Sequence, residues 1–257
     1  MNQTINSLDS SGNAEKLPDN LQKPISNMLT DYTPDTHETL GLHNSKYGNI
    51  TDKVWEEDGS VNMAVPKEQL VKVMRGVADD PEAFAQMYRA EKQYSQDVFA
   101  GMPDDADSYS THNRIRETTA ALGAFDGVRA DIVFDERFDK IQWTNDFNHA
   151  VTAVPGAALN FVPTKYIATG DIANRILDFS SYEATKDRVA EATQEATEKN
   201  SDQFDAGQRE SDAMIVEWAR SNGHKADSDF TEYLISDGQT KHKEGRDTAL
   251  DYLISDR

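Results

Sequence analysis

Apolar side chains in this 257-residue chain recur at the spacing of an α-helix and almost nowhere alternate as they would in a strand. That periodicity confines the chain to helix-on-helix packing. The clearest instance follows Pro66, which suits a first helical turn: Leu70, Val73, Met74 and Val77 form one stripe. Asp79-Asp80-Pro81 stops this helix and starts the next, with Asp80 as N-cap and Pro81 at the first helical position. The second helix carries Phe84, Met87, Tyr88, Tyr94 and Val98 and ends near Gly101. A third, from about Asn113, turns Ile115, Leu122, Phe125 and Ile132 inward. Gly123 and Gly127 lie four apart on it; tolerated glycines or a kink are expected there, and a closely approaching backbone is the alternative. Further helices are expected over 171–200, around Met214, Ile215, Trp218 and Ala219, around Phe230, Tyr233 and Leu234, and over Thr240–Ser255. The last has the stripe Ala249, Leu250, Leu253 and Ile254.

The expected fold is all-α, an irregular multi-helix bundle with a disordered N-terminal arm and little or no β structure. Residues 1–20, rich in Asn, Ser, Asp and Gly, form the arm. Residues 21–65 form an irregular or helical segment, in which Pro34 interrupts a helix and Asp58-Gly59 suggests a short hairpin. Residues 66–257 form the helical domain.

Charge removes several function classes. The formal net charge is −20, so a nucleic-acid partner bound through its phosphates is excluded; a solvated surface is the expected meaning of the acidity, with an acidic face for a basic partner as the alternative. From Phe147 to Thr164 no Asp, Glu, Lys or Arg occurs. Pro155 and Pro163 break any continuous helix there, so a membrane span is not expected. The stretch 147–164 reads as a buried, broken hairpin and the best-buried part of the fold, with membrane insertion as its functional alternative. The N-terminus lacks a basic region followed by an apolar one, which points to a cytoplasmic protein, to leaderless export, or to a fragment whose leader lies upstream.

Catalytic, metal and cofactor motifs are missing. The chain has no cysteine, hence no thiol nucleophile and no thiolate metal site. His37-Glu38 begins like the zinc motif H-E-x-x-H, but position 41 is Gly41 and His43 comes two residues late. The remaining histidines are expected at or near the surface. Asp105, Asp107 and Tyr109 start a calcium-loop pattern that fails at Ser110 and Arg116. No phosphate-binding glycine loop and no G-x-S-x-G occurs. Asp131, Asp135 and Glu136, and the pair Asp135 and Asp139, fall on shared helix faces, but such pairs arise freely in so acidic a chain. No catalytic, cofactor-binding or metal residue is therefore assigned, and no cofactor is expected.

One repeat stands out. Tyr233-Leu234-Ile235-Ser236-Asp237 recurs as Tyr252-Leu253-Ile254-Ser255-Asp256. In each, a tyrosine stands one helical turn before an acid, which resembles the tyrosine–acid export signal of type VII secretion substrates. Tyr233, Asp237, Tyr252 and Asp256 are accordingly the candidate partner or export residues; the W-x-G turn of those substrates is missing. Several runs carry a broader resemblance: Asp35-Thr36-His37-Glu38, Lys46-Tyr47-Gly48-Asn49, Leu70 through Val77, and Gln86-Met87-Tyr88 through Gln93-Tyr94-Ser95. Over about residues 17–257 the chain resembles the C-terminal region of large, uncharacterised helical proteins of filamentous actinobacteria, labelled as containing a TPR-like repeat region. The resemblance implies an all-α fold and a link to secretion, and no activity; no 34-residue period is visible here. The expected function is a non-enzymatic, all-α interaction or structural module with another protein as partner. The alternatives are a leaderless exported effector or envelope-associated protein, and a hydrolase with an unrecognised carboxylate site.

Overall fold

A computed structural model of the chain describes residues 17–41, 52–57, 61–103, 109–135, 139–152 and 207–254. Among them are eight helices and one hairpin: α1 (Asp19–Asp31), α2 (Thr33–Gly41), β1 (Asp52–Glu57), β2 (Val61–Pro66), α3 (Lys67–Val77), α4 (Pro81–Ala100), α5 (Tyr109–Phe134), α6 (Lys140–Thr152), α7 (207–221) and α8 (Asp229–Ile254). The fold is all-α. Its small β element pairs β1 antiparallel with β2, from Asp52 opposite Pro66 to Glu57 opposite Val61, which puts the connection where Asp58-Gly59 predicts it. The expected arm to residue 16, the helix over 171–200, most of the uncharged stretch and Asp256 lie outside the described residues.

Local chemistry sets the helix ends. Asp80 Oδ1 accepts the backbone N–H groups of Glu82 and Ala83 at 2.9 and 3.2 Å, with Pro81 in the first turn of α4. Asp139 does the same for α6, accepting from Ile141 and Gln142 at 3.1 Å each. α7 ends at Gly223, whose φ of 80° only glycine adopts without strain. There His224 N–H reaches Ala219 O and Gly223 N–H reaches Arg220 O, at 2.8 and 3.1 Å, in the two-bond Schellman closure. Ser228 then opens α8, its Oγ accepting from Thr231 N–H. Pro34 does not break a helix body. The break falls at Tyr32, and Pro34 sits in the first turn of α2, where its missing N–H has no intrahelical partner to lose.

α5 is the axis of the bundle: every residue from Thr118 to Val133 is buried. Against it lies an aromatic core centred on Phe84, whose ring is 5.8 Å from Phe125, 6.2 Å from Trp143 and 5.7 Å from Phe147. Trp143 and Phe147 stack at 5.2 Å, and the indole N–H donates to Ala78 O at 2.8 Å. The stripe Leu70, Val73, Met74 and Val77 is buried as expected. Leu17, placed in the arm by composition, is instead buried beside Gly76. A second apolar cluster joins Met214, Ile215 and Trp218 of α7 to Ile115, Leu122 and Leu234.

Two expectations are corrected. Of the uncharged stretch, burial is described only from Phe147, which is buried, to Val151, with His149 exposed; among the described residues the longest buried run is 118–133. Phe230–Leu234 and the C-terminal stripe belong to one helix, because Gly238 and Gly245 sit at contacts inside α8 rather than at breaks. Within the stripe, Ala249 and Leu253 are buried, Leu250 is half-buried and Ile254 is 57% exposed.

The most extensive helix contact is between α5 and α8, and it is built on glycine. A methyl group at Gly123 would overlap the carbonyl oxygen of His242, and one at Gly245 that of Ala120. At Gly127 it would stand 2.6 Å from Arg246 O and 2.8 Å from the Ala249 Cβ. The two glycines of α5 are therefore not merely tolerated; they admit the neighbouring backbone. In an exposed helix Gly→Ala gains up to about 1 kcal/mol. Here Gly123→Ala must push two backbones apart and is expected to cost about 2–3 kcal/mol, read from urea denaturation midpoints. A neutral or stabilising Gly123→Ala would contradict the close approach. At the end of α8, Leu253→Ala is expected to cost about 2–4 kcal/mol while Ile254→Ala stays within about 0.5 kcal/mol of wild type in the same assay.

Candidate functional site

Tyr233, Asp237 and Tyr252 fall in one helix but in different surroundings, and Asp256 lies outside the described residues. Nineteen residues at 3.6 per turn rotate Tyr252 by about 100° from Tyr233 and carry it about 28 Å along the axis. Tyr233 is 51% exposed, with the His112 ring 5.8 Å away. Asp237, one turn later, accepts from Arg116 Nε at 2.6 Å and Nη2 at 3.2 Å. The hydrogen bond to Asp237 leads in holding the guanidinium pKa above its ordinary value, against partial burial, with Tyr233 adding to it. Tyr233 and Asp237 thus converge on Arg116. Tyr252 is partly buried against the large core cluster and does not join them.

Three polar clusters that sequence reasoning did not assemble lie inside the bundle. In the first, His37 of α2 is 4% exposed. Its Nδ1 donates to Glu91 Oε1 of α4 at 2.6 Å, and its Nε2 lies 3.4 Å from Thr118 Oγ1 of α5. Ser95 Oγ also donates to Glu91 Oε1, at 3.2 Å. Carboxylate, imidazole and hydroxyl follow the order of an acyl-transfer relay. Thr118 and Glu91 are 0% and 1% exposed, however, so in this arrangement the hydroxyl meets protein and not substrate. Gly41, one turn beyond His37, shares the same close contact: a methyl there would stand 2.7 Å from Glu117 O.

In the second cluster, Arg75 of α3 is 6% exposed and gathers three carboxylates: Asp131 at 2.5 Å, Asp79 at 2.6 Å and Asp135 at 2.7 Å. The shared face of Asp131 and Asp135 was legible in their spacing; Arg75, about 60 residues upstream, was not. The pair serves an ion cluster that ties α3 to the end of α5.

The third cluster is a seam beneath α7. Glu210 accepts from Lys92 Nζ at 2.7 Å and from the Tyr88 hydroxyl at 3.2 Å. Burial first, then the charges of Glu210 and Asp126, hold the Tyr88 phenol well above its usual pKa. Asp126 of α5 and His242 of α8, each 1% exposed, bring Oδ2 and Nε2 to 3.2 Å, within ion-pair reach but off hydrogen-bond geometry. Arg129 Nη1 stands 3.5 Å from Asp126 Oδ1. Gly207 of α7 lies directly on Asp126 Oδ2, where a Cβ would not fit. Asp212 accepts from Gln239 Nε2 at 2.8 Å.

Among the described residues, no group of three or more His, Asp or Glu is arranged to hold a metal ion, and no helix is long and apolar enough to cross a membrane. No protein-family model, curated protein or solved structure matches the chain.

The ion cluster admits a direct test. Arg75→Met keeps most of the side-chain volume but strands Asp79, Asp131 and Asp135 in the interior. It is expected to destabilise by about 3–5 kcal/mol in urea titrations at neutral pH. A loss under about 1 kcal/mol would mean that water reaches these carboxylates.

Proposed function

We propose that the chain is a non-enzymatic helical module that binds a basic surface of another protein through the start of α8. The observation that carries this reading is the contrast between the two kinds of polar constellation. The one with the order of a catalytic relay, Glu91–His37–Thr118, is sealed in the core, whereas the Tyr233–Asp237 element is at the surface. Asp227, Asp229 and Glu232 are exposed around Tyr233, against the single exposed base Lys225 in this stretch. A half-exposed tyrosine amid acids suits a contact that combines aromatic area with charge complementarity. Arg116 fixes Asp237, so Tyr233 is offered from a rigid helix face. The resemblance to secretion-linked helical proteins of actinobacteria is in keeping with a binding role.

A photo-crosslinking residue in place of Tyr233, used in the native host, tests the reading. A discrete adduct is expected that is absent when the same residue replaces Ile141, which is 49% exposed on α6. Asp229→Lys with Glu232→Lys is expected to remove the adduct. Equal labelling from both positions, or an adduct indifferent to the charge reversal, would refute it.

The exposure of Tyr233 one turn before Asp237 also favours a second reading, leaderless export through the tyrosine–acid elements. Replacing Tyr233, Asp237, Tyr252 and Asp256 together by alanine should then abolish secretion, and unchanged secretion would eliminate it.

A further inference from the structure

α7 is divided along its length. Its second half is held by apolar contact, through the buried Met214, Ile215, Trp218 and Ala219. Its first half is held by titratable groups: Glu210 on Lys92 and Tyr88, Asp212 on Gln239, and Gly207 on Asp126. Four buried atoms of this seam have no hydrogen-bond partner among the described residues: both carboxylate oxygens of Asp126, Oδ1 of Asp212 and Nε2 of His242. A buried carboxylate oxygen without a donor is costly, and a proton is the smallest donor that relieves it.

We propose that docking of residues 207–212 is a proton-coupled latch: closing takes up a proton at Asp212, whose buried Oδ1 meets no hydrogen-bond donor among the described residues. Residues 207–212 are then held firmly in mildly acidic solution and loosen as it turns alkaline. Burial pushes the Asp212 carboxyl up from 3.8 to about 6, against the Gln239 hydrogen bond and the charges of His242 and Arg209, which pull it down. The sign follows: a carboxyl whose pKa is raised by docking favours the docked state most below its undocked value, and the gain is lost as pH rises through about 6.

The other charged groups around the seam leave this sign in place. On α4, Lys92 is occupied by Glu210. On α5, Arg129 faces Asp126 at 3.5 Å, and Arg116 is taken by Asp237. On α8, Lys243 and Arg246 close on Asp247, and Lys241 on Glu244.

Amide hydrogen exchange of the full chain tests the latch. The amides of 211–214 are compared with those of α3 after correction for intrinsic exchange. Their relative protection is expected to fall about tenfold between pH 5.0 and pH 8.0, the factor a carboxyl moved from 3.8 to about 6 supplies. Asp212→Asn keeps an oxygen for Gln239 but cannot titrate, and should leave a change below about threefold; Asp212→Ser serves if that variant does not fold. A wild-type change below about threefold or of opposite sign overturns the proposal, as does a change above about threefold in the non-titrating variant.

Discussion

The close approach of α5 and α8 is the contact on which the rest of the bundle depends. With Gly123 and Gly127 on one side and Gly245 on the other, backbone carbonyls occupy the space that side chains would otherwise fill. Helix separation is set by the side chains at the contact, so glycine on both faces brings the axes together. The polar residues beside these glycines are consequently enclosed. His242, whose carbonyl covers Gly123, and Asp126, which precedes Gly127, are each 1% exposed. The seam beneath α7 is thus a consequence of the glycine contact and not a separate construction.

A chain of net charge −20 also has to place some acids inside, and it does so by sharing partners. Arg75 gathers three carboxylates, and Glu91 serves both His37 and Ser95. Such clusters add little net stability over an apolar core, because desolvation offsets the attraction. What they impose is register: Asp131 and Asp135 meet Arg75 only at one rotation of α5 against α3. The aromatic core around Phe84 supplies the area, and the ion clusters choose among the ways of burying it.

Local features were legible where the physics is local. The stripe from Leu70 to Val77 and the Asp80-Pro81 start of α4 follow from side chains and backbone a few residues apart. The candidate pair Tyr233 and Asp237 was legible for the same reason, one helical turn separating them. Its partner Arg116 was not, because 121 residues intervene. The two copies of the repeat differ at the tyrosine: rotation about the same helix leaves Tyr233 half-exposed and packs Tyr252 partly against the core.

Residue spacing and capping alone made legible that this chain is helical, where α3 and α4 start and stop, and the apolar stripes of α3, α4 and α5, because capping, proline geometry and helical period act within a turn or two. Tertiary structure alone decided that Gly123 and Gly127 admit a neighbouring backbone, that Phe230 and Leu253 share one continuous helix, and that His37, Asp126 and His242 are buried. Those outcomes depend on which helix faces which. That choice is made by shape and charge matched between residues far apart in the chain, and no local period carries it.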